Sequence, residues 1–363
     1  MCSFQNPFAS TLQIAYHLHN HVFQYNEWWV YAFGLVGLVC LAIASAICCS
    51  SSVGSSNNIM CLETEKHALL QFKQGLVDKS NALASWENKK DCCKWRGIAC
   101  NNQTGHVTSL DFSFSYDPYH NSTEVPLRGT MIPKFIGSLS QLKERKLADA
   151  NFSGPVPPQL GNLSNLHTLD LSENYDVRSE NLEWLSHFSS LRYLNMSWLN
   201  LSETVNWPQS LSKLTSITEL QLSSCHLHDV NLRSLFFIDS STSLQVLHLS
   251  GNFFNSSIFY WIANVSSNFV HIDLSSNNLE GPIPDVFTSM LSLESLILYR
   301  NQLSENIEDS VKTLSCAENT LETLDLGANL FWGSLPDLSR FQLVTLATLQ
   351  STDYQGNKKR SSM

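Results

Sequence analysis

Apolar residues return along this chain in a fixed phase. From Leu166 to Asn174 the order is LHTLDLSEN. The same order returns as LQVLHLSGN from Leu244, FVHIDLSSN from Phe269, LESLILYRN from Leu293 and LETLDLGAN from Leu321. Within each segment apolar and polar side chains alternate, which is the period of a strand with one buried face. Leu169 and Leu171 therefore point inward, and His167, Asp170 and Ser172 point out. Successive units begin at Leu142, Leu166, Leu191, Ile217, Leu244, Phe269, Leu293 and Leu321, spaced 24, 25, 26, 27, 25, 24 and 28 residues apart. One such unit cannot bury its own leucines, so neighbours stack and share a long core. The pattern predicts an α/β repeat solenoid: a curved parallel β-sheet of short strands, a convex side of loops and short 3-10 turns, and a cap over the first coil.

Asn174, Asn252, Asn277, Asn301 and Asn329 form one row at the end of the strands, and Cys225 takes that place in the unit from Ile217. An asparagine amide can serve main-chain groups that the turn would otherwise leave buried and unpaired. Ala150 and Leu199 also stand in this row, so their turns need another source of hydrogen bonds. Gly129–Pro133, Gly154–Pro157, Gly281–Pro284 and Gly333–Pro336 add a Gly-x-x-Pro element or a relative of it. Arg145 stands at an apolar strand position. Burying a charge there is costly, which predicts either a frayed strand or a side chain that carries its head to the surface. The whole unit, L-x-x-L-x-L-x-x-N-x-L-x-G-x-I-P, resembles the plant-type leucine-rich repeat.

The segment from Cys61 to Leu110 reads as the cap. Ala68, Leu69, Phe72 and Leu76 have helical spacing, and Trp86 and Trp95 are large enough to plug the first coil. Val107, Leu110 and Phe112 read as a first, degenerate strand, and 116–126 as an inserted loop. Cys61, Cys92, Cys93 and Cys100 have the spacing of a disulfide framework with three possible pairings; free thiols or a zinc site are the alternatives. The strings DCCKWRGIAC and TGHV resemble the N-terminal cap of plant receptor-like proteins, a resemblance that runs from Cys61 to about Leu338. It implies Cys61–Cys92 and Cys93–Cys100 bridges. It also implies that the sequence corresponds to the N-terminal part of such an ectodomain, whose family members carry more repeats, a C-terminal cap and one membrane span.

From Trp28 to Cys49 there are 22 residues without a charge, enough for a helix of about 33 Å across a bilayer core of about 30 Å. Ala44, Ser45, Ala46 and the serines at 50–52 instead suit a signal cleavage region. The balance favours a cleaved signal over a retained anchor at about 28–49. In either case the solenoid ends outside the cytosol, in the secretory pathway and at the cell surface, where cap disulfides persist. Asn-x-Ser/Thr acceptors at Asn102, Asn121, Asn151, Asn162, Asn195, Asn200, Asn255 and Asn264 agree with that compartment. The expected organisation is a leader over 1–60, the cap over 61–105, about nine repeats over 106–340 and a non-repeat tail over 341–363.

The net charge of −10 and pI near 5.6 argue against a nucleic-acid partner. No kinase, zinc-peptidase or serine-hydrolase motif is present, and no cofactor or metal is expected. Cys316 is left as an unexplained thiol on the convex side. The outward strand positions make the concave face the candidate ligand surface. Aromatic and arginine side chains carry much of the binding energy in interfaces, which selects Arg192, Tyr193, Trp198, His248, His271, Tyr299 and Arg300. Asn195 is both outward-facing and a glycan acceptor, so a glycan there would crowd Tyr193 and Trp198. The resemblance implies a non-catalytic recognition module for a peptide, protein or glycan, in defence or developmental signalling. It would work with a leucine-rich-repeat receptor-kinase co-receptor. The alternatives are a secreted binder of a microbial enzyme, similar to polygalacturonase inhibitors, and a truncated, non-signalling product.

Overall fold

The computed structural model describes residues 60–112, 127–229, 242–314 and 320–334, with three short strands at 343–345, 350–352 and 358–360. The leader, the 116–126 loop, Asn121, Pro336, Cys316 and most of the tail lie outside the described residues. Among the described residues no helix is long and apolar enough to cross a membrane.

Each repeat contributes one strand, of three residues except for the first, which has five, to an eleven-stranded sheet. In chain order its members are β1 (Ile98–Cys100), β2 (Val107–Asp111), β3 (Glu144–Lys146), β4 (Thr168–Asp170), β5 (Tyr193–Asn195), β6 (Glu219–Gln221), β7 (Val246–His248), β8 (His271–Asp273), β9 (Ser295–Ile297), β10 (Thr323–Asp325) and β11 (Leu343–Thr345). Only β1–β2 is antiparallel; every later pair is parallel and in register, so Leu194, Leu220, Leu247, Ile272, Leu296 and Leu324 fall in one row. That row is buried, as the alternating pattern requires. Short 3-10 helices (Lys134–Ser138, Pro158–Asn162, Glu183–His187, Asp285–Ser289) return the chain in four coils. Others use α-helices, α2 (Trp207–Leu211), α3 (Ile258–Val265) and α4 (Ile307–Thr313). The Gly-x-x-Pro elements form a second line of parallel pairs, Ser153–Pro155 with Asp176–Arg178 and Glu280–Gly281 with Gln302–Leu303. Gly129 belongs to the same line and packs against the Phe152 ring, with no room for a Cβ.

The asparagine row works as the sequence implies. Asn252 Nδ2 donates to the carbonyls of Leu222, Leu249 and Ser250, while its Oδ1 accepts from the N–H groups of Cys225 and Leu227. Asn174, Asn277, Asn301 and Asn329 repeat this linkage between coils. Cys225 substitutes with a single donor: its thiol reaches the Met196 carbonyl at 3.1 Å, and burial pushes its pKa up to about 12. At Leu199 the backbone supplies what is missing, with the Leu199 N–H on the Met196 carbonyl and the Leu201 N–H on the Cys225 carbonyl. At Ala150 the carbonyl accepts from the Gly129 N–H.

Arg145 corrects the expectation drawn from sequence. Strand β3 is intact and paired on both sides, yet Arg145 is 0% exposed. Its Nε, Nη1 and Nη2 have no hydrogen-bond partner, and burial pushes its pKa down to about 9. The strand holds because its backbone ladder does not depend on the side chain; the cost stays inside the core.

The cap is helix α1 (Glu63–Gln74) followed by a loop that delivers both tryptophans to the first coil. Leu76, expected in the helix, instead begins a two-residue strand paired antiparallel with Arg128–Gly129. Trp86 and Trp95 stack with centroids 5.1 Å apart, and Trp86 and Phe72 both meet Phe112 on the edge of the repeat core. Glu65 ties α1 to β2, accepting from the Val107 N–H at 2.7 Å and meeting His106 Nδ1 at 2.8 Å. Cys61 is bridged to Cys92 and Cys93 to Cys100, with Cα separations of 5.5 and 5.4 Å. Oxidised sulfurs carry no thiolate to offer a metal, although all four lie within 4.8 Å of one another.

Candidate functional site: the outward face of the sheet

The candidate surface is built by the two residues that flank each buried strand leucine. In-register pairing aligns them into two rows. The first runs Ser109, Glu144, Thr168, Tyr193, Glu219, Val246, His271, Ser295, Thr323; the second runs Asp111, Lys146, Asp170, Asn195, Gln221, His248, Asp273, Ile297, Asp325. The aromatic, amide and imidazole side chains concentrate on four adjacent strands, β5–β8.

Within those strands the side chains touch. Tyr193 Oη lies 3.4 Å from Asn195 Nδ2, and Gln221 Nε2 donates to Glu219 Oε1 at 2.6 Å. The His248 and His271 rings are 4.6 Å apart across the β7–β8 pair, with His248 Nδ1 3.9 Å from Asp273 Oδ2. Partial burial, and next the nearby Asp170 carboxylate, push the Tyr193 phenol up to about 12. Burial, then the neighbouring His248, hold His271 below its ordinary 6.5. His271 Nε2 is shielded from solvent and has no hydrogen-bond partner. Burial alone would raise Asp273, but the His248 imidazole and the Ser275 groups outweigh it and set its pKa below 3.8.

The seven residues selected from sequence do not share one surface. Tyr193, His248 and His271 are strand residues and lie together. Arg192 precedes β5 and is exposed. Tyr299 follows β9 and is 41% exposed, in a row otherwise held by small residues such as Ser223 and Ser250, whose hydroxyls bond at 2.9 Å. Trp198 and Arg300 stand at another position of the coil. Both occupy the residue before the asparagine row, where the backbone turns to positive φ (68° and 56°). Asp149, Glu173, Ser224, Ser276 and Ala328 share that conformation in their own coils. The bend carries both side chains off the sheet face to its edge. There Trp198 packs against Tyr175 with centroids 5.7 Å apart, and Arg300 lines a surface cavity with Phe253 and Gln302. Asn195, expected as a glycan acceptor, is 8% exposed and its Oδ1 accepts from the Ser197 N–H.

Sequence reading missed the reason for the second row's composition. Asp170, Asp273 and Asp325 each accept from the N–H two residues ahead, as Asn195 does. The signal was present as Asp or Asn two places before Ser or Gly. These carboxylates fasten the strand exit while leaving negative charge on the face.

Comparison with known proteins completes the description. A model for the leucine rich repeat N-terminal domain matches residues 62–101, and a Leucine Rich Repeat model matches 243–265 and 268–290. Receptor-like protein EIX1 of Solanum lycopersicum is 33% identical over 84% of this chain. The chain is similar to plant leucine-rich-repeat receptor-like proteins over most of its length. Receptor-like protein Cf-9 of Solanum pimpinellifolium is 27% identical over 68% of it. The chain spans about a third of the length of these curated relatives, 35% of EIX1 and 32% of Cf-9. The Arabidopsis receptor kinase HAESA, solved with the peptide hormone IDA and the co-receptor SERK1, matches with a TM-score of 0.58 and 24% identity; the match covers 80% of this chain and 50% of that one. A plant ice-binding protein matches with a TM-score of 0.59 and 22% identity, over 80% and 87%. These two likenesses establish the fold. The matching models and relatives indicate no catalytic family.

Proposed function

We propose that this chain is the ligand-recognition part of a cell-surface receptor-like protein, and that its ligand docks on the outward face of β5–β8. The observation that carries the reading is the run of Tyr193, Glu219, Gln221, His248, His271 and Asp273, part-buried and in register on adjacent strands, with Gln221 bonded to Glu219 and His248 set against His271 and Asp273. Such a surface offers aromatic area at low entropic cost and polar groups already oriented by neighbours. It is open, and it holds no nucleophile paired with a base. The peptide complexes of the structural neighbours favour a peptide or protein ligand. A kinase-bearing partner would convert binding into signal.

The test is a binding screen of the secreted full chain against arrayed extracellular peptides and proteins, repeated with a Tyr193→Ala/His271→Ala double variant. Loss of binding by about tenfold or more for any captured ligand, with Tyr260→Ala unchanged, is the expected result. Equal binding by wild type and the double variant would remove the site from this face.

A further inference from the structure

We infer that the groove between α3 and the following coil is the seat of the chain's own N-linked glycan at Asn255. This inference is independent of the sheet-face reading. The groove encloses about 540 Å³, within the span of about 300–1,000 Å³ typical of small-molecule sites. Asn255 lines it together with Tyr260, Glu280 and Pro282. The sequon is Asn255-Ser256-Ser257.

Four observations point to a sugar. Asn255 is held by its oxygen, Oδ1 accepting from the Ser257 N–H at 2.8 Å, while Nδ2, the atom that would carry the glycan, donates to no group among the described residues. Tyr260 is 63% exposed and lines the groove, where its aromatic ring can cover the C–H face of a pyranose, with Pro282 adding apolar surface. Glu280 adds an acceptor for sugar hydroxyls. The Ser257 hydroxyl lines the same groove, shielded from solvent and without a partner, a group that an incoming hydroxyl would satisfy. The other described acceptors differ. Asn195 is buried, Asn264 Nδ2 already donates to the Tyr260 carbonyl, and Asn102, Asn151, Asn162 and Asn200 are exposed.

The donor is a lipid-pyrophosphate-linked oligosaccharide. Its C1 bonds to Nδ2, the amide loses one proton, and the pyrophosphate leaves with the electron pair. Once tethered, the first sugars have a high effective concentration at the groove, so weak stacking and hydrogen bonds suffice to hold them. The glycan then acts as a brace across α3 and the Glu280–Gly281 strand.

The full chain, secreted from glycosylating cells, tests this by glycopeptide mapping and hydrogen exchange over 255–265 and 280–287. Ser257→Ala removes the acceptor and Ser257→Thr keeps it; Asn162→Gln is the control for loss of an exposed glycan. The expected result is an occupied Asn255, several-fold faster exchange in both segments for S257A, and wild-type exchange for S257T and N162Q. Should S257A fail to be secreted, enzymatic removal of the glycan from the folded wild type is read over the same segments, with the same acceleration expected. An unmodified Asn255, or a modified one whose loss leaves 280–287 unchanged, overturns the inference.

Discussion

Arg145 puts an uncompensated cation in an aliphatic row, between Leu110 on β2 and Leu169 on β4. Replacing buried charges with apolar side chains of similar volume commonly gains about 1–4 kcal/mol. Arg145→Leu should therefore raise the urea midpoint, and Arg145→Met should do much the same. Asn301 carries the opposite load. Its amide serves the Leu274, Leu298 and Tyr299 carbonyls and the Asn277 and Leu279 N–H groups, all of which lose a partner in Asn301→Ala. That change should cost about 2–4 kcal/mol in the same assay, since buried polar groups left unpaired cost about 1–3 kcal/mol each and some recover water. Cys225 makes a chemical prediction. A thiol buried with its pKa near 12 should resist alkylation in the folded protein at pH 8 and react once urea unfolds the coil, read by peptide mapping.

At the scale of the element, the strand triplet explains what the face can offer. Three residues leave two outward side chains per coil, and parallel register turns those pairs into rows. The β7–β8 pair brings His248 and His271 together with Asp273, while Glu219 on β6 adds negative charge to His271. Because folding holds the His271 pKa below 6.5, the unfolded chain binds the proton more readily. Stability from this group is therefore full above 6.5 and is lost as the pH falls through 6.5 towards the folded pKa. Thermal unfolding midpoints between pH 7 and 5 should fall with acidification, and His271→Gln should flatten that slope. An unchanged slope would mean that His271 is not held in its unprotonated form. The sequence showed which residues alternate outward, and so found Tyr193, His248 and His271. It did not show the positive-φ bend before the asparagine row. Trp198, Ser224 and Arg300 share that bend without sharing a residue type, because it is imposed by the turn that the row closes, not by local preference.

Over the whole molecule, stability is a sum of neighbouring coils, and the cap closes the first of them. Its two bridges close loops of unequal length, with sequence separations of 31 and 7 residues. Loop-closure entropy predicts that removing Cys61–Cys92 as a Ser pair costs about 1 kcal/mol more than removing Cys93–Cys100, measured by urea unfolding of the secreted protein. The repeat, the buried leucine row, the asparagine row and the cap tryptophans were legible in the chain, because each follows from period and residue type alone. Arg145 was not, because a single strand position says nothing of whether its ladder can hold a misfit side chain; the neighbours β2 and β4 decided that. The burial of Asn195, the edge placement of Trp198 and Arg300, and the groove beside Asn255 were likewise settled between coils. A periodic sequence determines what is inside, since burial repeats with the period. What lies together outside depends on register, twist and the shape of each return segment, and those exist only once the coils have stacked.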